Sequence, residues 1–341
     1  IRIWGCGNHS FAKMVSYYID TNEFHFDFYY IYLNFYKKSK ISQRKLMLHF
    51  VFFGNKNKNK FIKLIAKKVP ILMITRDPIS ILKTWANHTG KNDAEKKEVH
   101  LNLDSNYGDF LKIKYLNYEN YLFDGVDNPD IRNIKSAQKS FLYRDIVSSM
   151  EHSILYVKYV DIQEITVDNI HNILNSLLGF SFFKKNQKIQ ETINDMTIYL
   201  TRNRKLIYKN EIEIYITNNF NFRGLNNITH FLLNKNINNI IFAVDDCNLK
   251  KIIKSDSVEN IREVIYDFLL KFNKAVCNEK EKHIKEQDIL EYLLSNSSER
   301  RFYWDKINYD LVYLKKYRPD IIASWKYYQE FEKMCKELDG D

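Results

Sequence analysis

The stretch VPILMITRDPISILKTW, residues 69–85, decides the fold. Its first seven residues form an almost continuous apolar run, which is typical of a strand buried on both faces. The run stops at Arg76, and a helix-like segment follows Pro78. Proline suits the first turn of a helix because its missing N–H costs little there, and Asp77 before it can cap the helix. The sequence therefore predicts a buried strand, a tight turn and a helix, with Arg76 at the carboxyl end of the strand.

Two interpretations of Arg76 stay open. Ligands of open α/β sheets bind at the carboxyl ends of the strands, and a planar guanidinium suits a phosphate. Ser80 and Thr84 follow on the predicted helix, and Thr84 is expected on a face similar to that of Arg76. These three residues are our candidates for binding the phosphate of a donor. Alternatively, Arg76 pairs with Asp77 and only shapes the turn.

A glycine loop near the start of the chain is the second candidate for a phosphate site. The loop Gly5-Cys6-Gly7-Asn8-His9-Ser10 follows a short strand-like run and precedes a helix-like one. Backbone N–H groups and a helix N-terminus attract anions, so Gly5, Gly7, Asn8, His9 and Ser10 are candidate donor-binding residues. The loop is neither a Walker A motif nor a G-x-G-x-x-G motif. A purely structural turn is an equally good interpretation of the loop by itself.

The order of the predicted elements defines the expected fold class. A helical segment is predicted over residues 131–150 and a further strand over residues 153–160, and the chain is mainly helical from residue 257 onwards. Together these patterns predict an α/β fold, with a parallel sheet flanked by helices and a mainly helical C-terminal region. We expect residues 1–250 to form the α/β core, with an insertion near 86–130. Residues 251–341 are expected to form a helical region that packs on this core.

Composition limits the function classes. The 341 residues carry a net charge of +10, which favours anionic partners. The four cysteines lie far apart without a C-x-x-C spacing, so we expect no metal site and no disulfide framework. The sequence has no run of 18 apolar residues and no signal peptide, and it begins at Ile1 without an initiator methionine, which is compatible with a preceding segment. We expect a cytoplasmic protein, with peripheral membrane contact as an open alternative.

Histidines are the candidate catalytic bases. His49 lies in an apolar, strand-like segment, and a histidine near a strand end can remove the proton of an acceptor hydroxyl. His9, in the glycine loop, is the second candidate. A packed histidine with a structural role remains the alternative for His49.

Taken in this order, the segments resemble the P-loop sulfotransferase-like superfamily. In that family an arginine begins an R-x-P helix start, and a hydroxyl residue follows eight positions later; here these positions are Arg76 and Thr84. The segments Tyr159–Ile162 and Leu177–Gly179 are similar to its later Y-E-D-L and F-L-G motifs. The family's histidine often precedes the arginine strand, as His49 does. The resemblance covers roughly residues 1–180.

The resemblance implies a sulfotransferase-like P-loop fold and a nucleotide-linked donor as substrate. The donor would be similar to 3′-phosphoadenosine 5′-phosphosulfate (PAPS) or linked to CDP or UDP, and no tightly bound cofactor is implied. One departure is clear, because the first loop lacks the family's lysine and Lys13 lies in the helix that follows. The usual sulfate donor is therefore in doubt.

A second resemblance extends over the whole chain. Residues 4–10, 74–80 and 318–331 are similar to a family of uncharacterised bacterial proteins, some labelled as sugar transferases, from capsule and surface-polysaccharide loci. These likenesses imply an enzyme that transfers a sugar or a phosphoramidate-type group to a saccharide acceptor. The alternative is a non-catalytic protein that binds nucleotides or nucleic acid. Nucleic acid is not our expected partner, since no recognisable nucleic-acid-binding motif is present.

Overall fold

The computed structural model describes part of the chain. The described residues are 21–23, 47–49, 68–87, 98–101, 115–117, 121–123, 129–166, 169, 172–173, 176, 204–209, 211–217, 224–233, 241–254, 258–281 and 283–340.

The chain divides into two compact units that alternate along the sequence. Unit 1 contains Ile1–Ala86, Asp130–Ile189 and Ile284–Asp341. Unit 2 contains Asn87–Pro129 and Gln190–His283. The sequence-based division has a single boundary at residue 250, whereas each of these units is assembled from separate segments.

Unit 1 combines short parallel strand pairs with helices. Its strands are β1 (Thr21–Glu23), β2 (Met47–His49), β3 (Val69–Thr75) and β7 (Ile154–Asp161). Its α-helices are α1 (Pro78–Ala86), α2 (Tyr143–Met150), α6 (Glu286–Ser295), α7 (Ser297–Tyr317), α8 (Pro319–Ser324) and α9 (Lys326–Asp339). Three 3₁₀ helices cover Ile131–Ser140, Glu151–Ser153 and Ile162–Glu164.

Strand β3 pairs in parallel with β7, and Thr75 lies opposite Asp161 at their carboxyl ends. The predicted strand over residues 69–75 is confirmed with the same bounds. Its last five residues are buried, as the apolar run requires. Thr75 is polar, but its hydroxyl donates a hydrogen bond to the carbonyl of Val160 (3.2 Å), so its burial leaves no unsatisfied group.

The C-terminal helices complete the core of unit 1. Helices α6 and α9 pack on α1, and α7 packs on α2. Aromatic residues provide much of the buried volume, since Trp325, Tyr143, Tyr303 and Tyr328 are all fully buried. The Tyr303 hydroxyl donates to the Ile134 carbonyl (2.6 Å) and satisfies its one polar group.

A buried ion pair fastens the last helix to the rest of unit 1. The Arg300 guanidinium makes two contacts with the Asp339 carboxylate, from Nε to Oδ2 at 2.8 Å and from Nη2 to Oδ1 at 3.0 Å. The same guanidinium donates to the carbonyls of Leu293 and Leu294 at the end of α6. The hydrogen bonds from Arg300 hold the pKa of Asp339 low, at about 2. Arg300 thus joins α6, α7 and α9.

Unit 2 contains strands β4 (Glu98–Leu101), β5 (Tyr115–Asn117), β6 (Tyr121–Phe123), β8 (Arg204–Tyr208), β9 (Ile212–Thr217), β10 (Asn226–Asn227) and β11 (Ile241–Val244). Its helices are α3 (Thr229–Leu232), α4 (Asp246–Lys254) and α5 (Val258–Glu281). Five strands form one sheet in the order β10-β11-β9-β8-β4. Only β4 and β8 are parallel neighbours in it, and the other pairs are antiparallel. Strands β5 and β6 form a separate antiparallel pair.

Alternating side chains of unit 2 form its own apolar core. Leu206, Ile214, Ile216 and Phe242 point inward from the sheet, and Phe268 of α5 belongs to the same buried cluster. Inward residues at every second position are the pattern of a sheet with one covered face. Residues 87–129 of the predicted insertion near 86–130 lie in this unit, and most of their described residues form strands.

Candidate functional site

The candidate site lies at the carboxyl ends of β3 and β7, where the chain turns into α1. Asp77 forms the turn, because its Oδ1 accepts a hydrogen bond from the backbone N–H of Ile79 (2.8 Å). Pro78 occupies the first helical position. The predicted cap and the predicted helix start are both confirmed. This turn places Arg76 between the strand and the helix.

Arg76 and Thr84 meet at the start of α1. The Arg76 Nη1 donates a hydrogen bond to the Thr84 Oγ1 (3.3 Å), and the Thr84 hydroxyl donates to the Ser80 carbonyl (2.9 Å). Arg76 and Thr84 are both half-buried. The structure therefore brings together a guanidinium and a hydroxyl, which are two groups that bind phosphate oxygens.

Ser80 faces a partner that the sequence analysis missed. Its hydroxyl donates to the Glu286 Oε1 (2.8 Å), and the Lys83 Nζ lies 2.7 Å from the same oxygen. Burial acts to raise the pKa of Glu286, but the hydrogen bonds from Lys83 and Ser80 outweigh it and the pKa is lowered. Glu286 is therefore ionised at neutral pH. Acidic residues are common in the first turn of a helix, so Glu286 does not stand out in the sequence. Nothing there indicates that it lies next to Ser80.

Two buried carboxylates lie close to Arg76 in the sequence or at the strand ends. Asp161 is the last residue of β7, Asp77 follows β3 in the turn to α1, and both are less than a tenth exposed. Burial raises the pKa of Asp77 to about 6. Burial also raises the pKa of Asp161, against hydrogen bonds from Gln163 and Trp325 and the positive charge of Arg76. Arg76 thus contacts the Thr84 hydroxyl, and its charge acts on the buried carboxylate of Asp161.

The C-terminal segment supplies the partners of these carboxylates. The Trp325 Nε1 donates to Asp161 Oδ2 (2.5 Å), and the backbone N–H of Tyr328 donates to Asp77 Oδ2 (3.2 Å). Arg318 donates to the Tyr159 carbonyl through Nη1 (2.7 Å) and to Glu164 through Nη2 (2.7 Å). The segment 318–328 is therefore attached to the carboxyl ends of the strands by side chains and backbone together.

A model of one protein family matches residues 159–338, just over half of the chain. Its description is "Protein of unknown function (DUF2972)". The chain belongs to the DUF2972 family. No curated protein and no solved structure matches the chain.

The DUF2972 segment contains one half of the site. It includes Asp161 and Glu286, together with the attachment residues Arg318, Trp325 and Tyr328. The residues Arg76, Ser80 and Thr84 precede the segment. The site of this DUF2972 protein therefore combines the family's C-terminal helices with a strand and a helix outside the matched region.

Several predicted site residues are not covered by this geometry. Gly5, Gly7, Asn8, His9 and Ser10 lie outside the described residues. His49 is the last residue of β2 and lies opposite Glu23 of β1 in parallel register. The structure describes the backbone of His49 but not its side chain. Its role as a base therefore stays a prediction.

Metal binding and membrane crossing are considered for the described part of this DUF2972 protein. Among these residues, no three His, Cys, Asp or Glu side chains gather in a way that could hold a metal ion. Within the same ranges, every helix lacks the combination of length and apolar character that crossing a bilayer requires.

Proposed function

We propose that this protein is a transferase that moves a group from a nucleotide-linked donor to a hydroxyl of a capsular or other surface polysaccharide. The observation that carries the proposal is the contact of Arg76 with Thr84 at the carboxyl end of a buried parallel strand. A donor phosphate inserted there would receive charge-assisted hydrogen bonds from the guanidinium and one from the Thr84 hydroxyl, whose proton would turn from the Ser80 carbonyl to the phosphate. The net charge of +10 favours an anionic donor.

The proposed reaction uses the same contacts. An acceptor hydroxyl oxygen forms a bond to the transferred group, while the bond from that group to the donor phosphate breaks. The nucleotide leaves with the electron pair, and Arg76 stabilises the negative charge that develops on its phosphate. His49 or His9 takes the hydroxyl proton. The donor is either a PAPS-like nucleotide or a CDP- or UDP-linked one.

Arg76 also has a structural interpretation, because its charge offsets that of the buried Asp161. Arg76→Lys separates the two roles. Lysine keeps a positive charge near Asp161, but it lacks the planar fork that binds two phosphate oxygens. A structural role predicts an undisturbed protein after this change, whereas a phosphate-binding role predicts weaker binding in a folded protein.

We expect Arg76→Ala to weaken nucleotide binding by roughly 10- to 100-fold, since it removes hydrogen bonds between charged groups. Calorimetric titration with CDP, UDP and adenosine 3′,5′-bisphosphate measures the loss. Arg76→Lys and Thr84→Val should each weaken binding of the same nucleotide, by roughly tenfold and severalfold. Lys135→Ala is a matched control, because it removes an exposed positive charge elsewhere in unit 1.

The proposal fails if no nucleotide of this panel binds the wild-type protein. It also fails if a nucleotide binds equally well to the wild type and to a folded Arg76→Lys variant. Circular dichroism and the thermal unfolding midpoint establish that each variant is folded.

A further inference from the structure

The Glu286 carboxylate contacts two side chains of α1. One of its carboxylate oxygens lies 2.8 Å from the Ser80 hydroxyl and 2.7 Å from the Lys83 ammonium. Ser80 is only 9% exposed, so its hydroxyl is directed to this carboxylate and not to bulk water. A hydroxyl and an ammonium that converge on one anionic oxygen are also suitable donors to a phosphate oxygen.

We propose that Ser80 and Lys83 form a second anion subsite, which Glu286 fills in the unliganded protein and which a second phosphate of the ligand fills after displacing Glu286. This inference rests on the proposed function and narrows its donor to a nucleotide whose two phosphate groups are adjacent, as in a CDP- or UDP-linked donor. Glu286 is then an internal competitor of the donor, and its displacement accompanies binding.

The positions of the hydroxyls support two adjacent subsites. Ser80 and Thr84 are four residues apart on α1, so they lie on one face of the helix, about 5–6 Å apart. The two are already linked, because the Thr84 hydroxyl donates to the Ser80 carbonyl. A ligand phosphate held by Arg76 and Thr84 would therefore have a second pair of donors within one helical turn.

The start of α6 does not depend on the Glu286 contact. The Asp288 carboxylate accepts a hydrogen bond from the backbone N–H of Lys285 (2.7 Å) at the beginning of this helix. Ile289 and Leu290 anchor the helix in the core. The Glu286 side chain can therefore move away from Ser80 while the helix remains in place.

The test is Glu286→Gln, titrated with inorganic pyrophosphate. Glutamine keeps an oxygen that can accept from Ser80, but it removes the negative charge that competes with the ligand. We expect pyrophosphate to bind roughly tenfold more tightly than to the wild type, the scale of one unit charge removed from a half-buried neighbour. Glu291→Gln is the matched control, because it removes an exposed charge from the same helix. It should leave the affinity close to that of the wild type.

Adding Lys83→Met to the Glu286→Gln variant should abolish the gain. The subsite is overturned if Glu286→Gln binds pyrophosphate no better than Glu291→Gln, or if the gain survives the loss of Lys83. These outcomes do not decide the proposed function, which depends on nucleotide binding through Arg76. If nucleotides bind through Arg76 and the Glu286→Gln variant gains nothing, only the second subsite is wrong.

Discussion

Replacing Trp325 with alanine is expected to destabilise unit 1 by about 4 kcal/mol, because the change leaves a large cavity in a closely packed core. Trp325 is 1% exposed and packs in the main cluster of unit 1. The change also removes the N–H that donates to the buried Asp161 carboxylate. Urea unfolding followed by tryptophan fluorescence measures this loss.

The fluorescence signal suits this experiment because all four tryptophans, at positions 4, 85, 304 and 325, belong to unit 1. Trp325→Phe is the matched control, since phenylalanine keeps most of the volume and loses only the donor. We expect it to cost roughly 1–3 kcal/mol, the penalty of leaving a buried acceptor without its partner. If the alanine variant and the wild type have the same urea midpoint of unfolding, Trp325 does not attach the C-terminal segment as described.

The second large effect is a pH dependence of stability that arises from Asp310. This residue of α7 is 1% exposed. Its Oδ1 accepts a hydrogen bond from the backbone N–H of Arg144 (3.0 Å), and no residue in the described ranges donates to its Oδ2. Burial is the main cause that raises the pKa of Asp310 from 3.8 to about 7. Lys306 opposes the shift, while the negative charge of Asp145 adds to it.

A raised pKa in the folded state makes the wild type less stable as the pH rises. The folded protein holds the Asp310 proton more tightly than the unfolded chain does, so the favourable contribution is complete below about pH 4. It is then lost progressively up to about pH 7. An asparagine side chain at this position would stay neutral throughout, so Asp310→Asn should gain stability relative to the wild type by roughly 3 kcal/mol between about pH 5 and pH 8.

Urea unfolding of both proteins across this pH range gives the difference between their free energies of unfolding directly. Contributions from all other titrating groups cancel in this difference. Asp305→Asn is the control, because Asp305 is an exposed residue of the same helix. The free energy of unfolding of the Asp305→Asn variant should differ from that of the wild type by an amount that changes little with pH. If the free energies of unfolding of the Asp310→Asn variant and the wild type differ by the same amount at every pH, the raised pKa assigned to Asp310 is wrong.

The part of the fold around Arg76 could be predicted because local signals decide it. A strand that is buried on both faces needs a continuous apolar run, so the bounds of β3 follow from the sequence. Asp77 and Pro78 act on the two or three residues beside them, and such short-range effects are visible in sequence. The eight-residue spacing of Arg76 and Thr84 likewise predicted two side chains that the structure finds 3.3 Å apart.

The predicted helical segment over residues 131–150 is confirmed, but it consists of two kinds of helix. Residues 131–140 form a 3₁₀ helix, and α2 begins only at Tyr143. The buried residues Ile134, Ala137 and Ser140 recur at every third position. A period of three matches the three residues per turn of a 3₁₀ helix. The burial pattern therefore matches the kind of helix that the structure has over residues 131–140.

The remaining features depend on contacts between distant residues. Ser80 and Glu286 are 206 residues apart, and Asp77 and Tyr328 are 251 residues apart. Neither pair has a spacing rule that could reveal it. The segment 318–331 stood out in the sequence only as a resemblance. Its physical role, which is to supply partners to two buried carboxylates, required the three-dimensional arrangement.

The central claim is that Arg76 and Thr84 hold a donor phosphate at the carboxyl end of β3. A crystal structure of the protein with the nucleotide that binds most tightly tests this claim most directly. The account predicts a phosphate oxygen within hydrogen-bond distance of both the Arg76 guanidinium and the Thr84 hydroxyl. A bound nucleotide whose phosphates lie elsewhere, with Arg76 still in contact with Thr84, would contradict it.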